Sequence, residues 1–146
     1  MDKLKTLRDL TGISIMECKK ALDEAGGDLE KAKTLLSKRG IEIAAKKESR
    51  ETKSGRIFSY VHHNGKIASL VELFCETDFV AMNDTFKTLG ADLAMQVASM
   101  DLSEKEPLLK SEFIKDSSKT IETLMKETIF ALGENIQLGK IVLLRI

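Results

Sequence analysis

The 146-residue sequence predicts an α+β fold, and three observations lead there. Residues 1–40 carry only helical periodicity. Residues 55–75 alternate around Asn64-Gly65, the strongest short-range hairpin signal. Residues 83–146 return to helical spacing and finish in a run rich in Ile, Val and Leu. The predicted order is a three-helix bundle over 1–40, a linker helix over 41–54, and a core domain over 55–146. That core reads β-β-α-α-β, a small antiparallel sheet with helices on one face.

In the bundle, Leu4 and Leu7 share a helical face and Thr11-Gly12 closes the first helix. Ser14 and Glu17 have capping-box spacing, so a second helix starts at Ile15. Its stripe is Cys18, Ala21, Leu22 and Ala25, and Gly26-Gly27 ends it. Asp28 caps a third helix with Leu29, Ala32, Leu35 and Leu36 inward and Gly40 as its end. Three short helices bury little surface, so the bundle is marginal alone. From Ile41 to Lys53 the charges alternate, with Glu42–Lys46 and Lys47–Glu51 four apart, which reads as a solvated connecting helix.

Gly55 opens the sheet. A two-residue turn at Asn64-Gly65 sets His62 opposite Ile67 and Phe58 opposite Val71. One face then carries Phe58, Tyr60, His62, Ile67, Val71, Leu73 and Cys75, and the other Ile57, Val61, Leu70 and Phe74. A second strand apolar on both faces belongs in the centre. Asn83 caps a long helix whose stripe is Phe86, Leu89, Leu93 and Val97, ending near Met100. Asp101–Asp116 holds the only proline, Pro107, and reads as a connection with a partial turn. A further helix starts at Ser117 or Ser118, carries Ile121, Leu124, Met125, Thr128 and Leu132 along one face, and closes at Gly133. Ile136–Ile146 is the last strand.

Composition narrows the function. Hydrophobic residues make up 42%, enough for a core, and 23 basic residues balance 23 acidic ones. Phosphate-backbone binding relies on a basic excess, so bulk charge argues against non-specific nucleic-acid binding. The lack of a long apolar run or apolar N-terminal segment predicts a soluble, cytoplasmic protein with no membrane partner. Cys18 and Cys75 lack CxxC spacing and read as reduced structural thiols. Neither a nucleotide-phosphate loop nor a GxGxxG pattern occurs, so no nucleotide, cofactor or metal is expected on this chain. His62 and His63 are expected on opposite faces of a strand, which disfavours shared metal ligation. No nucleophile–base arrangement marks an enzyme.

What remains is the corner Cys75-Glu76-Thr77-Asp78-Phe79-Val80-Ala81-Met82-Asn83, a polar and aromatic step between two apolar elements. It reads either as an ordinary strand-to-helix turn, with Asp78 capping and Phe79 in the core, or as a projection that aims a side chain outward. Thr77-Asp78-Phe79-Val80-Ala81 with Asn83 and Phe86 resembles the signature of the elongation factor Ts family. So do Leu7-Arg8-Asp9-Leu10-Thr11-Gly12, Cys18-Lys19-Lys20-Ala21-Leu22, Gly27-Asp28-Leu29-Glu30-Lys31-Ala32, Ala44-Ala45-Lys46-Lys47 and Gly133-Glu134-Asn135-Ile136. The blocks follow the family's order, densely to residue 86 and thinly in the last third.

The resemblance implies an exchange factor that binds elongation factor Tu, both GDP-bound and nucleotide-free, and carries out no covalent chemistry. It implies that Asp78 and Phe79 enter the GTPase near its magnesium, with Phe79 as wedge, Thr77 orienting the corner and Val80 and Ala81 anchoring it. It makes the N-terminal bundle ubiquitin-associated-like and places Lys5, Arg8 and Met16 against the GTPase. From the residues alone, Lys5 and Arg8 are equally solvated helix charges and Met16 equally a core residue. A generic ubiquitin-associated-like adaptor or nascent-chain-associated module is the competing reading, and it rests on residues 1–40 alone. The chain departs from full-length members in having one core copy, with Asp101–Asp116 too short for their helical hairpin. It resembles the short class, which implies a homodimer carrying two elongation factor Tu molecules. Ile136–Ile146 is a candidate dimer edge.

Overall fold

The computed structural model describes residues 2–146. Helix α1 (Lys3–Thr11) starts at Asp2, whose carboxylate accepts from the Leu4 and Lys5 amides, and ends at Gly12 in the left-handed region (φ 68°). Helix α2 (Ile15–Glu24) starts at Ser14, whose hydroxyl accepts from the Glu17 amide at 3.3 Å. Only that half of the expected capping box forms. The Glu17 carboxylate turns instead to Lys20 and Arg39, each at 3.4 Å. Leu7, Ile13, Cys18, Ala21, Leu22, Ala32 and Leu36 form the bundle's own apolar cluster.

Helix α3 runs unbroken from Leu29 to Lys47. The expected break at Gly40 does not occur, and a separate linker helix over 41–54 is not formed. Gly40 stays helical because it packs on a neighbour: a Cβ there would meet the Phe130 side chain at 3.6 Å. That close packing against the helix carrying Phe130 outweighs the roughly 1 kcal/mol helix penalty of glycine. The far end of α3 joins the core, with Ala44 in the main cluster and Lys47 Nζ donating to the Gly133 carbonyl at 2.9 Å.

Strands β1 (Ser54–Val61) and β2 (Ile67–Cys75) pair antiparallel with Phe58 opposite Val71, the register expected from the hairpin. The turn differs in kind. Gly65 donates to the His62 carbonyl at 2.8 Å, which centres that turn on His63 and Asn64, and Gly65 has positive φ whereas Asn64 does not. A turn with both Asn64 and Gly65 left-handed is therefore not what closes it. After β2 come a one-turn helix α4 (Asp78–Ala81) and the long helix α5 (Asp84–Met100), capped by Asn83 and burying Phe86, Leu89, Leu93 and Val97 as expected.

The 101–120 region holds more structure than a connection. Helix α6 (Lys105–Lys110) leads into a small hairpin of β3 (Glu112–Phe113) and β4 (Asp116–Thr120). Gln96, fully buried on α5, fastens it through the Ser111 hydroxyl, the Glu112 carbonyl and the Ile114 amide. Helix α7 (Ile121–Leu132) thus starts later than Ser117 or Ser118. Ser118 is held by the Asp116 carboxylate in β4, and Thr120 supplies the cap. Strand β5 (Ile136–Arg145) closes the sheet, whose order is β1-β2-β5 with β2 central.

The architecture is α+β, with helices packed on one face of a small antiparallel sheet. The buried core gathers Val71, Leu73, Cys75, Phe86, Leu89, Leu93, Val97, Ile121 and Ile129. The opposite sheet face is open, leaving Ile57, Val61, Leu70, Val142 and Leu144 exposed. Among the described residues, no helix is long and apolar enough to cross a membrane.

Candidate functional site

The corner is built on the end of β2. Cys75 is buried and donates through Sγ to the Thr77 carbonyl at 3.2 Å. Burial, followed by the nearby Glu134 charge, pushes its thiol up. Cys75 is therefore a neutral donor under the turn, ill suited to be a nucleophile. Thr77 is extended (φ −130°, ψ 157°) and caps α4, its hydroxyl oxygen accepting from the Val80 amide at 3.4 Å. The cap is thus Thr77, not Asp78.

One helical turn separates the next four side chains by about 100° each. Val80 and Ala81 point into the core, and Phe79 is consequently turned outward, with 91% of its surface exposed. The reading of Phe79 as core does not describe this fold. Met82, three residues on and therefore on the same face, is also exposed, and its Sδ accepts from the Arg56 guanidinium at 3.1 Å. Asp78 is exposed beside Phe79, and its Oδ1 accepts from the Ser54 hydroxyl at 2.5 Å. The outcome is an acid and a projecting ring on a short turn whose opposite side is fixed in the core.

Two carboxylates reach across the corner from opposite directions. Glu134 Oε1 accepts from the Glu76 and Thr77 amides at 3.1 and 3.0 Å, and its Oε2 from the Thr77 hydroxyl at 2.7 Å. Glu76 in turn accepts from the Asn135 amide at 2.8 Å and pairs with Arg50 at 3.6 Å. The Asn135 side chain donates to the Arg50 carbonyl at 2.8 Å, drawing in the segment after α3.

Thr77, Asp78, Phe79 and Val80 thus come together in one turn. Lys5, Arg8 and Met16 are all exposed, and they stand on the bundle, whose apolar cluster is separate from the one beneath the corner. Among the described residues neither Lys5 nor Arg8 is paired with a carboxylate, and Met16 is not in the core. His62 and His63 lie beyond the end of β1, so strand alternation does not separate them; their rings are 4.2 Å apart, and His62 Nδ1 meets the Tyr60 hydroxyl at 3.0 Å. Sequence reasoning assigned no role to Glu76, Glu134, Ser54, Arg56 or Met82. The Gly133-Glu134-Asn135 block was the one visible signal among them.

A family profile described as "Elongation factor TS" matches residues 76–146. Elongation factor Ts of Fervidobacterium nodosum is 41% identical over 188 residues, covering 98% of this chain and 95% of the relative. The protein of the same name from Thermosipho melanesiensis is 42% identical over 184 residues, covering 95% and 94%. That of Aquifex aeolicus is 43% identical over 145 residues, covering 96% of this chain but only 50% of its own length. The first two alignments are longer than the 146 residues of this chain, so those relatives carry residues with no counterpart here.

Proposed function

The chain belongs to the elongation factor Ts family, and we propose that it promotes GDP release from elongation factor Tu in the cytoplasm, acting by binding and without a covalent step. The observation that carries this reading is the exposure of Phe79 on a turn whose neighbours Val80 and Ala81 are buried. A large aromatic held in water by a fixed backbone gains its burial from a partner, and aromatic residues, Phe among them, are enriched at the cores of interfaces. Phe79 enters the GTPase on the side of its magnesium, and Asp78 draws on the polar groups that support the metal. Weakening the metal's support loosens the diphosphate, which the metal and backbone donors hold together. Linkage completes the account: a partner that prefers the nucleotide-free form lowers nucleotide affinity by the same factor.

The bundle grips the GTPase domain through Lys5, Arg8 and Met16, all of them free in water in this chain. Two copies form a homodimer with one elongation factor Tu on each. The open sheet face supports that assembly, because Ile57, Val61, Leu70, Val142 and Leu144 give it an apolar surface across all three strands.

Stopped-flow release of fluorescent GDP from elongation factor Tu tests the exchange reading. Acceleration by this chain is expected. Release at the intrinsic rate would remove it and leave a binding module of the adaptor kind.

A further inference from the structure

The corner's shape is not specified by its own residues alone. Thr77 begins α4, yet a threonine hydroxyl can donate in several directions. Here its proton goes to Glu134 Oε2 at 2.7 Å, which leaves a lone pair aimed at the Val80 amide at 3.4 Å. The same carboxylate takes the Glu76 and Thr77 amides, two backbone donors that β2 has just released at its end. One side chain thus satisfies three donors at consecutive residues, all 57 or 58 positions away in sequence. Glu134 can do this because Gly133, in the left-handed region at φ 76°, ends α7 and turns the chain directly into β5, beside β2. Glu76 answers by accepting from the Asn135 amide at 2.8 Å, so the two strand ends are tied in both directions.

We infer that Glu134 is a positioning residue for nucleotide exchange: it holds the Thr77 cap, and through it sets the direction in which Phe79 is presented. The inference rests on the exchange reading above. Glu134 itself is not placed against the partner. Its contribution is to the order of the turn, and charge-assisted bonds of this kind are among the stronger ones in proteins. A wedge whose backbone wanders must be ordered at the moment of insertion, which slows the step after docking more than docking itself.

The test uses the full chain as wild type, Glu134→Ala and Glu134→Gln, with fluorescent GDP release from elongation factor Tu and residue-resolved amide hydrogen exchange. In Glu134→Ala the amides of Glu76, Thr77 and Val80 lose about tenfold or more of their protection, while the paired amides within β1, β2 and β5 keep theirs. The maximal release rate falls about tenfold, and the half-saturating concentration changes far less. Glu134→Gln retains an acceptor for the two backbone amides but not for the Thr77 hydroxyl, so it recovers protection at Glu76 and Thr77 and part of the rate. Unchanged protection and rate in Glu134→Ala overturn the inference. So does a rate loss accompanied by loss of sheet protection in both variants, which would make the residue structural. If wild type itself fails to release GDP, the exchange reading falls and the role in exchange falls with it, whereas wild-type release with unchanged corner protection in Glu134→Ala overturns the positioning role alone.

Discussion

Replacing Phe79 with alanine separates function from folding more sharply than any other single change in this chain. A phenylalanine buries on the order of 150–250 Å² when fully covered. At about 25 cal/mol per Å², full burial is worth several kcal/mol. Phe79 is 91% exposed, so less than a tenth of that is at stake in the free protein. Its loss is expected to change stability by no more than about 0.5 kcal/mol, within the range of ordinary surface substitutions. Phe86, with 0% exposure, is the internal control, and Phe86→Ala should cost about 3–5 kcal/mol. Under the proposed function, losing the ring as a hot spot should cost the exchange complex about 2 kcal/mol or more, which corresponds to roughly a 30-fold loss. Urea unfolding gives the first quantity and stopped-flow GDP release the second. Phe79→Ala should therefore unfold at the wild-type midpoint and release GDP at least an order of magnitude more slowly. A midpoint shifted as far as that of Phe86→Ala, or a wild-type release rate from the folded variant, refutes the reasoning.

Three further outcomes are expected. Gly90→Ala places a Cβ 2.1 Å from the Phe58 ring, which is packed on α5, and should cost about 1–3 kcal/mol or more, whereas Gly40→Ala meets Phe130 at an ordinary 3.6 Å and should be neutral or stabilising; thermal unfolding of the pair decides. The Lys31 amide holds the Asp28 carboxyl below its usual 3.8, so its stabilising effect on α3 is present above that pH and is lost as pH falls through the lower folded value. The melting difference between wild type and Asp28→Asn should therefore shrink on acidification, and a constant difference would show that the charge of the cap does not matter. Val61→Lys puts a charge on the open sheet face at the end of edge strand β1, and sedimentation should show the proposed dimer dissociating at higher concentration than wild type with an unchanged fold; equal dimer affinity would move the interface elsewhere.

Much of the fold was legible because its signals are local. The caps Asp28, Asn83 and Ser14 lie within three residues of the amides they satisfy. The stripe Phe86, Leu89, Leu93 and Val97 follows from helical periodicity, and the pairing of Phe58 with Val71 from the position of one turn. The misreadings share a cause. Gly40 reads as a stop because glycine is a poor helix former, but contact with Phe130 on α7 overrides propensity. Ser117 or Ser118 reads as a helix start, but Asp116 and the β3–β4 pairing hold both in an extended strand. The His62-His63 geometry was drawn for a strand that ends one residue too early to govern it.

By itself, the sequence determined the class of fold, the second strand's place at the centre, the residues of the corner and the family to which they point. Those features depend on periods and caps that span a few residues, so neighbouring positions suffice to specify them. Only the tertiary structure decided which way Phe79 faces, that Thr77 rather than Asp78 caps its turn, that a carboxylate from the far end of the chain holds that cap, and that one apolar sheet face lies uncovered. These depend on which elements meet in space, and contacts between residues many tens of positions apart leave no periodic trace in the chain that makes them.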